Sequence, residues 1–206
     1  MAKPDRSIDP RIIESAKKEF LANGFEKASL KLICENAGIT TGALYKRYKG
    51  KEDLFCAVVA DTVAHLNEFV QQKCAVDPNA LSDDALIKAW DMDEEDMMQW
   101  FSFLYEHHDG FVLLIKCAEG TVYANFQHDW VEKMTATTYE YFREARRRGL
   151  MRVSISMEEM HILLSAFWTT IYEPFIHNYT WEQIEGHSKL VCGLFNWRRV
   201  LGFEYA

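Results

Sequence analysis

Apolar residues recur at helical spacing along nearly the whole chain, and the breaks between them fall at glycines, prolines and capping residues. Ile12, Ile13, Ala16, Phe20 and Leu21 form one stripe, preceded by Asp9 as N-cap and Pro10 at the first helical position. Gly24 closes that helix, and Phe25 can fold back onto Phe20. Ser29 then caps a short helix that turns Leu30, Ile33, Cys34 and Ala37 inward. Gly38 supplies positive φ for a tight turn, Ile39 plugs the angle, and Thr40 caps a third helix whose inward residue is Leu44. A small residue, a glycine four positions on and an apolar plug are what two helices crossing at a steep angle need, the arrangement of a helix-turn-helix.

The remaining pattern is also helical. Lys51 to about Lys73 predicts one helix burying Leu54, Phe55, Val58, Val59, Thr62, Leu66, Phe69 and Val70. After the break at Asp77-Pro78-Asn79, helices are predicted from Ser82 to Trp90, Glu94 to His107 and Gly110 to Ala118. Thr121 to about Arg148 reads as one long helix with a basic end closed by Gly149. The last two, Met157–Asn178 and Trp181–Leu201, are apolar over more than one stripe, so each needs two buried faces. Only Pro78 and Pro174 follow Pro10, in keeping with an all-α fold.

Charge divides the chain. Residues 1–51 hold 11 lysines and arginines against 6 acids, and the remainder holds 12 against 25. A basic head on an acidic body suits a head that meets a polyanion, although a solvated basic face would look similar. The longest apolar run, Leu54 to Ala60, is too short to span a bilayer, so no membrane partner is expected. The opening MAKPDRSIDPR lacks the apolar stretch of an export signal. With five irregularly spaced cysteines, this predicts reduced thiols and a cytoplasmic setting.

Residues 10–59 resemble the DNA-binding domain of TetR-family transcriptional repressors. The family pattern across the turn, the recognition helix and the start of the next helix is matched by Gly38, Gly42, Leu44, Tyr45, Lys51, Glu52 and Leu54. Tyr48 stands where the family usually has Phe, and Gly50 where it has a Ser or Asn cap. The resemblance implies a helix-turn-helix DNA-binding domain at 1–50 and a helical ligand-binding and dimerisation domain at 51–206. It also implies a homodimer on a palindromic duplex operator, with repression relieved by a small-molecule effector.

The DNA-binding candidates are Ser29, Thr40, Thr41, Gly42, Tyr45, Lys46, Arg47, Tyr48 and Lys51. Hydroxyls and backbone N–H groups at a helix start can hold phosphate, Gly42 allows close approach, and Lys46 and Arg47 can reach phosphates or guanine edges. Tyr48 reads equally as core, and Lys27 and Lys31 as surface charge.

Residues 90–130 hold nine aromatics in 41 positions. Rings with scattered polar groups line small-molecule pockets, and a ring-rich core would read the same way. The candidate ligand residues are His65, Phe69, Trp90, Trp100, Phe103, Tyr123, Phe126, Trp130, Trp168 and Tyr172. The dimerisation candidates, on the last two helices, are Leu163, Phe167, Leu190, Leu194, Trp197 and Leu201. The seven histidines show no pair at i,i+3 or i,i+4, the cysteines no CxxC, and no nucleophile–base pair or phosphate loop is present. No metal, no cofactor and no enzyme is therefore expected. The alternative function is a DNA-binding adaptor whose body makes only protein contacts.

Overall fold

The computed structural model describes residues 9–203, the side chains of residues 69, 73 and 74 excepted. Among the described residues the chain is helical, with α1 (Asp9–Lys27), α2 (Leu30–Ala37), α3 (Thr41–Tyr45), α4 (Lys51–Cys74), α5 (Asp83–Lys88) and α6 (Glu94–Glu106). These are followed by α7 (His108–Lys116), α8 (Phe126–Arg147), α9 (Met157–Ile176), α10 (Trp181–Leu194) and α11 (Trp197–Leu201). The chain forms two compact units, Met1–Leu66 with His107–Phe126, and Asn67–Glu106 with Gln127–Ala206. This division differs from the linear boundary expected at residue 50: it falls within α4 and brings α7 into the head's unit.

In the first unit α1 packs against both α2 and α7. Ile12, Ala16, Phe20, Ile33, Leu44, Leu54, Phe55 and Val59 are its buried centre, the larger side chains each contributing about 1.5–3 kcal/mol by leaving water. The Phe20 ring meets Phe55 edge-on at 5.1 Å and Phe25 at 6.1 Å, the predicted fold-back after Gly24. Gly24 itself (φ 71, ψ 167) interrupts α1, and the freed Phe25 N–H donates to the Cys117 carbonyl at 2.9 Å. Buried Ser15 donates to the Ile33 carbonyl, and buried Glu19 accepts from the Ser29 N–H. Ser29 and Thr40 cap α2 and α3, and Gly38 (φ 67, ψ 38) makes the left-handed turn between them. On α7, Gly110 lies so close to α4 that a Cβ there would come within 2.0 Å of the Thr62 hydroxyl. Asp9 is the first residue of α1 and not its cap, because its carboxylate accepts instead from Arg47.

In the second unit α6 and α9 pack on α10. The core holds Leu86, Met97, Phe101, Leu104, Phe142, Met160, Trp168, Ile171, Phe175 and Ile184. Capping boxes at Ser156 and Thr180 start α9 and α10. One guanidinium, Arg148, donates to the carbonyls of Pro78, Asn79 and Leu81 and to the carboxylates of Asp83 and Glu144. The basic end of α8 is thus a structural clamp. A lone antiparallel bridge joins Met151 to Phe203.

Two predicted helices are corrected. The one expected from Thr121 begins at Phe126, since the Thr121 hydroxyl donates to the Ala118 carbonyl and accepts from the Tyr123 N–H, fixing turns there. The one expected from Trp181 to Leu201 breaks after Leu194, where Asn196 accepts from the Arg199 N–H and caps α11. Among the described residues, no helix is long and apolar enough to cross a membrane, and Cys34, Cys56, Cys117 and Cys192 are unpaired.

Candidate nucleic-acid interface and ring-lined cavity

The turn at Gly38 aims α3 outward. Leu44 is its one buried residue, and Thr40, Thr41, Gly42, Tyr45 and Lys46 are all exposed. Tyr45 leaves 56% of its surface open, a large ring with no packing duty. A Cβ on Gly42 would meet nothing nearer than the Thr40 hydroxyl at 3.9 Å. The fold therefore does not require glycine there, although a helical glycine costs about 0.5–1 kcal/mol relative to alanine. The Thr40 hydroxyl accepts from the Ala43 N–H at 3.2 Å, and half-buried Ser29 caps α2, so both hold the face in shape.

Three of the predicted DNA contacts, Arg47, Tyr48 and Lys51, are less exposed than the rest of this face, and two of them have partners within the chain. Arg47 is largely buried, its Nε donating to Asp9 at 2.6 Å and its Nη1 to the Ala43 carbonyl at 3.2 Å. It is held inward as a brace between α3 and the start of α1. The Lys51 ammonium donates to the carbonyls of Glu26 (2.8 Å) and Ala28 (3.2 Å) and lies 4.8 Å from the centre of the Phe25 ring. These partners occupy the charge expected to clamp phosphate. Tyr48 is half-buried, and that burial, with the nearby Asp9 carboxylate, pushes its phenol up from 10.0.

In the second unit a cavity of about 550 Å³ is lined by rings and thioethers. Trp100 stacks on Phe103 (5.5 Å, 12°) and on Trp130 (6.5 Å, 14°), and Phe167, Met92, Met97, Met134 and Val70 complete the apolar wall. The polar lining comes from Thr137, Thr138, Gln99, Lys88, Asp91 and Asp96. Arg198 holds Asp91 at 3.1 Å. Such a slot suits a flat or extended apolar molecule with a small polar group.

Of the ten predicted ligand residues, Trp100, Phe103 and Trp130 meet in this cavity. Trp168 is buried behind Trp130 at 5.6 Å, and Tyr172 packs on Trp168. Trp90 lines a smaller neighbouring groove with Tyr141 and Thr138. His65, Tyr123 and Phe126 belong to the first unit, and the Phe69 side chain lies outside the described residues.

Among the dimerisation candidates, Leu190 (72%) and Leu194 (68%) are exposed and Leu163 is half-buried. Phe167, Trp197 and Leu201 are corrected to core, since buried side chains have no surface left for a second chain. Phe167 stands edge-on to Phe195 and Trp197 while facing the cavity. Ile162 (66%) is exposed as well, and helical spacing alone does not tell which of two apolar stripes faces out.

Residues 12–58 match the family model described as bacterial regulatory proteins, tetR family. The HTH-type transcriptional regulator UidR of Escherichia coli is 40% identical over 58 residues, 28% of this chain and 28% of UidR. The HTH-type transcriptional repressor AcnR of Corynebacterium diphtheriae is 30% identical over 66 residues, 32% of this chain and 35% of AcnR. The chain thus aligns with about a third or less of these relatives' length. A TetR-like transcriptional regulator from Rhodococcus sp. RHA1 matches the fold with a TM-score of 0.63, covering 98% of this chain and 100% of that one at 16% identity. FadR from Bacillus subtilis, in complex with stearoyl-CoA, matches with a TM-score of 0.57 over 91% of this chain and 97% of its own, at 14% identity.

Proposed function

We propose that this chain, which is of the TetR family by its head and has the fold of TetR-family regulators, represses transcription as a ligand-responsive homodimer on a palindromic operator. The observation that carries the reading is the open face of α3, where Thr40, Thr41, Tyr45 and Lys46 surround a glycine with no internal reason to be one. A glycine there leaves room for a surface to come close from outside. The hydroxyls and the ammonium are phosphate contacts, and Lys46 is the cation able to reach base edges. Arg47 and Lys51 act indirectly, holding α3 and the end of α1 in place.

One such helix reads only a few base pairs, so two are needed, about 34–36 Å apart on one face of the duplex. The pairing surface is built on the exposed Leu190 and Leu194 of α10 together with the exposed Ile162 of α9. The effector enters the Trp100–Trp130 slot and is an apolar or aromatic molecule of modest size, smaller than the stearoyl-CoA held by the fold neighbour FadR. An open, ring-lined slot favours this reading over an adaptor with a filled core. The regulator works in the cytoplasm and catalyses no reaction.

The test is gel retardation on operator fragments selected from genomic DNA by the unmodified protein. Gly42→Ala should raise thermal stability by up to about 1 kcal/mol and weaken retardation several-fold. Lys46→Ala should weaken binding and lower the salt dependence by about one counterion. Unaltered retardation by both variants would remove α3 from the interface.

A further inference from the structure

We propose that Asp61, His65 and His107 bind one divalent transition-metal ion, of the zinc, cobalt or nickel type, in the unit that carries the helix-turn-helix. Asp61 and His65 are four apart on α4 and share a face. His107 comes from the junction before α7, which fixes it: the Phe111 N–H donates to its carbonyl at 2.9 Å. The close approach of Gly110 to Thr62 keeps this junction against the same stretch of α4. The ligating atoms of the three side chains all lie within 4.8 Å of one another, and among the described residues no other such group of three gathers as closely. The two imidazoles face each other at 4.5 Å between centroids, and the Asp61 carboxylate stands 3.7 Å from His65 Nδ1.

Two features separate this from ordinary packing. His65 Nδ1 is shut off from solvent and has no hydrogen-bond partner, a state that buried polar atoms rarely keep. The nearest anionic atom lies just beyond hydrogen-bond reach, as it would if an ion were to sit between them. In a tetrahedral site with metal–ligand bonds near 2.1 Å, the donors stand roughly 3.4 Å apart. Rotations of about an ångström at exposed Asp61 and the two rings are therefore enough. Two nitrogens and one carboxylate oxygen suit zinc, cobalt or nickel, whereas calcium and magnesium prefer all-oxygen sets and copper(I) thiolates. The fourth position is left to water.

An ion held this way joins α4 to the start of α7 inside the head's own unit, so it stabilises that unit by mass action. The test uses the full chain and needs no DNA, so its failure leaves the operator reading intact, and the reverse holds. Cobalt(II) chloride is titrated and visible absorption recorded, followed by displacement with zinc. One ion per chain is expected, with the d–d bands of a nitrogen–oxygen site and a raised thermal midpoint. Asp61→Asn, at an exposed position, and His65→Gln should each weaken cobalt binding at least tenfold, while exposed His128→Gln leaves it unchanged. Circular dichroism checks that each variant is folded. Cobalt binding of equal strength in Asp61→Asn and the unmodified chain, or less than one ion per chain, would overturn the site.

Discussion

Glu144 is almost wholly buried, yet charged. Arg147 holds both its oxygens at 2.7 Å and Arg148 adds a further bond, which together lower its pKa from the ordinary 4.5 to about 2. A carboxyl depressed in this way contributes stability that is complete above the ordinary value and drains away as pH falls from about 4.5 toward 2. Glu144→Gln should therefore lower the urea midpoint at pH 7, and its deficit against the unmodified chain should shrink by pH 3. Because the same Arg148 fastens residues 78–81, the loss should reach that loop as well. Identical urea midpoints at pH 7 would show that solvent already does this work. The basic end of α8 is legible in the sequence, but the intramolecular partners of Arg47 and Lys51 are not. Their partners lie 38 and 25 positions away, at Asp9 and Glu26, and no local pattern announces a pairing across such a span.

At the scale of elements, the close crossing of α4 and α7 rests on the absence of one methyl group. Gly110→Ala would drive a Cβ into Thr62, within 2.0 Å of its hydroxyl and 2.9 Å of its Cβ. The expected cost is about 1–3 kcal/mol in chemical unfolding, as for overpacking in a well-filled core. Pairing it with Thr62→Ala should return part of that cost, since the nearest clash disappears and the Cβ contact stays. Full recovery, or no cost at all, would mean that the helices are free to separate. Helices α2 and α3 were legible nearly to the residue because they carry their own punctuation in Ser29, Gly38 and Thr40, whereas α1 runs past its kink at Gly24 to Lys27. The starts of α8 and α11 were not, since Thr121 and Asn196 act through hydrogen bonds that composition does not reveal.

For the whole molecule, Ile162, Leu190 and Leu194 leave apolar surface in water that a single chain does not cover. With α9 and α10 as the pairing helices, Leu190→Glu with Leu194→Glu should yield monomer in sedimentation equilibrium while helix content is kept. A dimer that survives both charges would place the two-fold elsewhere. The aromatic excess at residues 90–130 pointed to a cavity, and Trp100, Phe103 and Trp130 do meet at one. The same stretch scattered Tyr123 and Phe126 into the other unit, because periodicity tells which side of a helix is greasy but not which neighbour it greets.

Lys51, finally, closes the last turn of a helix that ended well before it in the chain. Two helix ends stitched by a single ammonium are coupled, since whatever loosens the start of α4 also uncovers the carbonyls at the end of α1. The short segment slung between them, with its outward-facing tyrosine, is thereby tied at both of its ends.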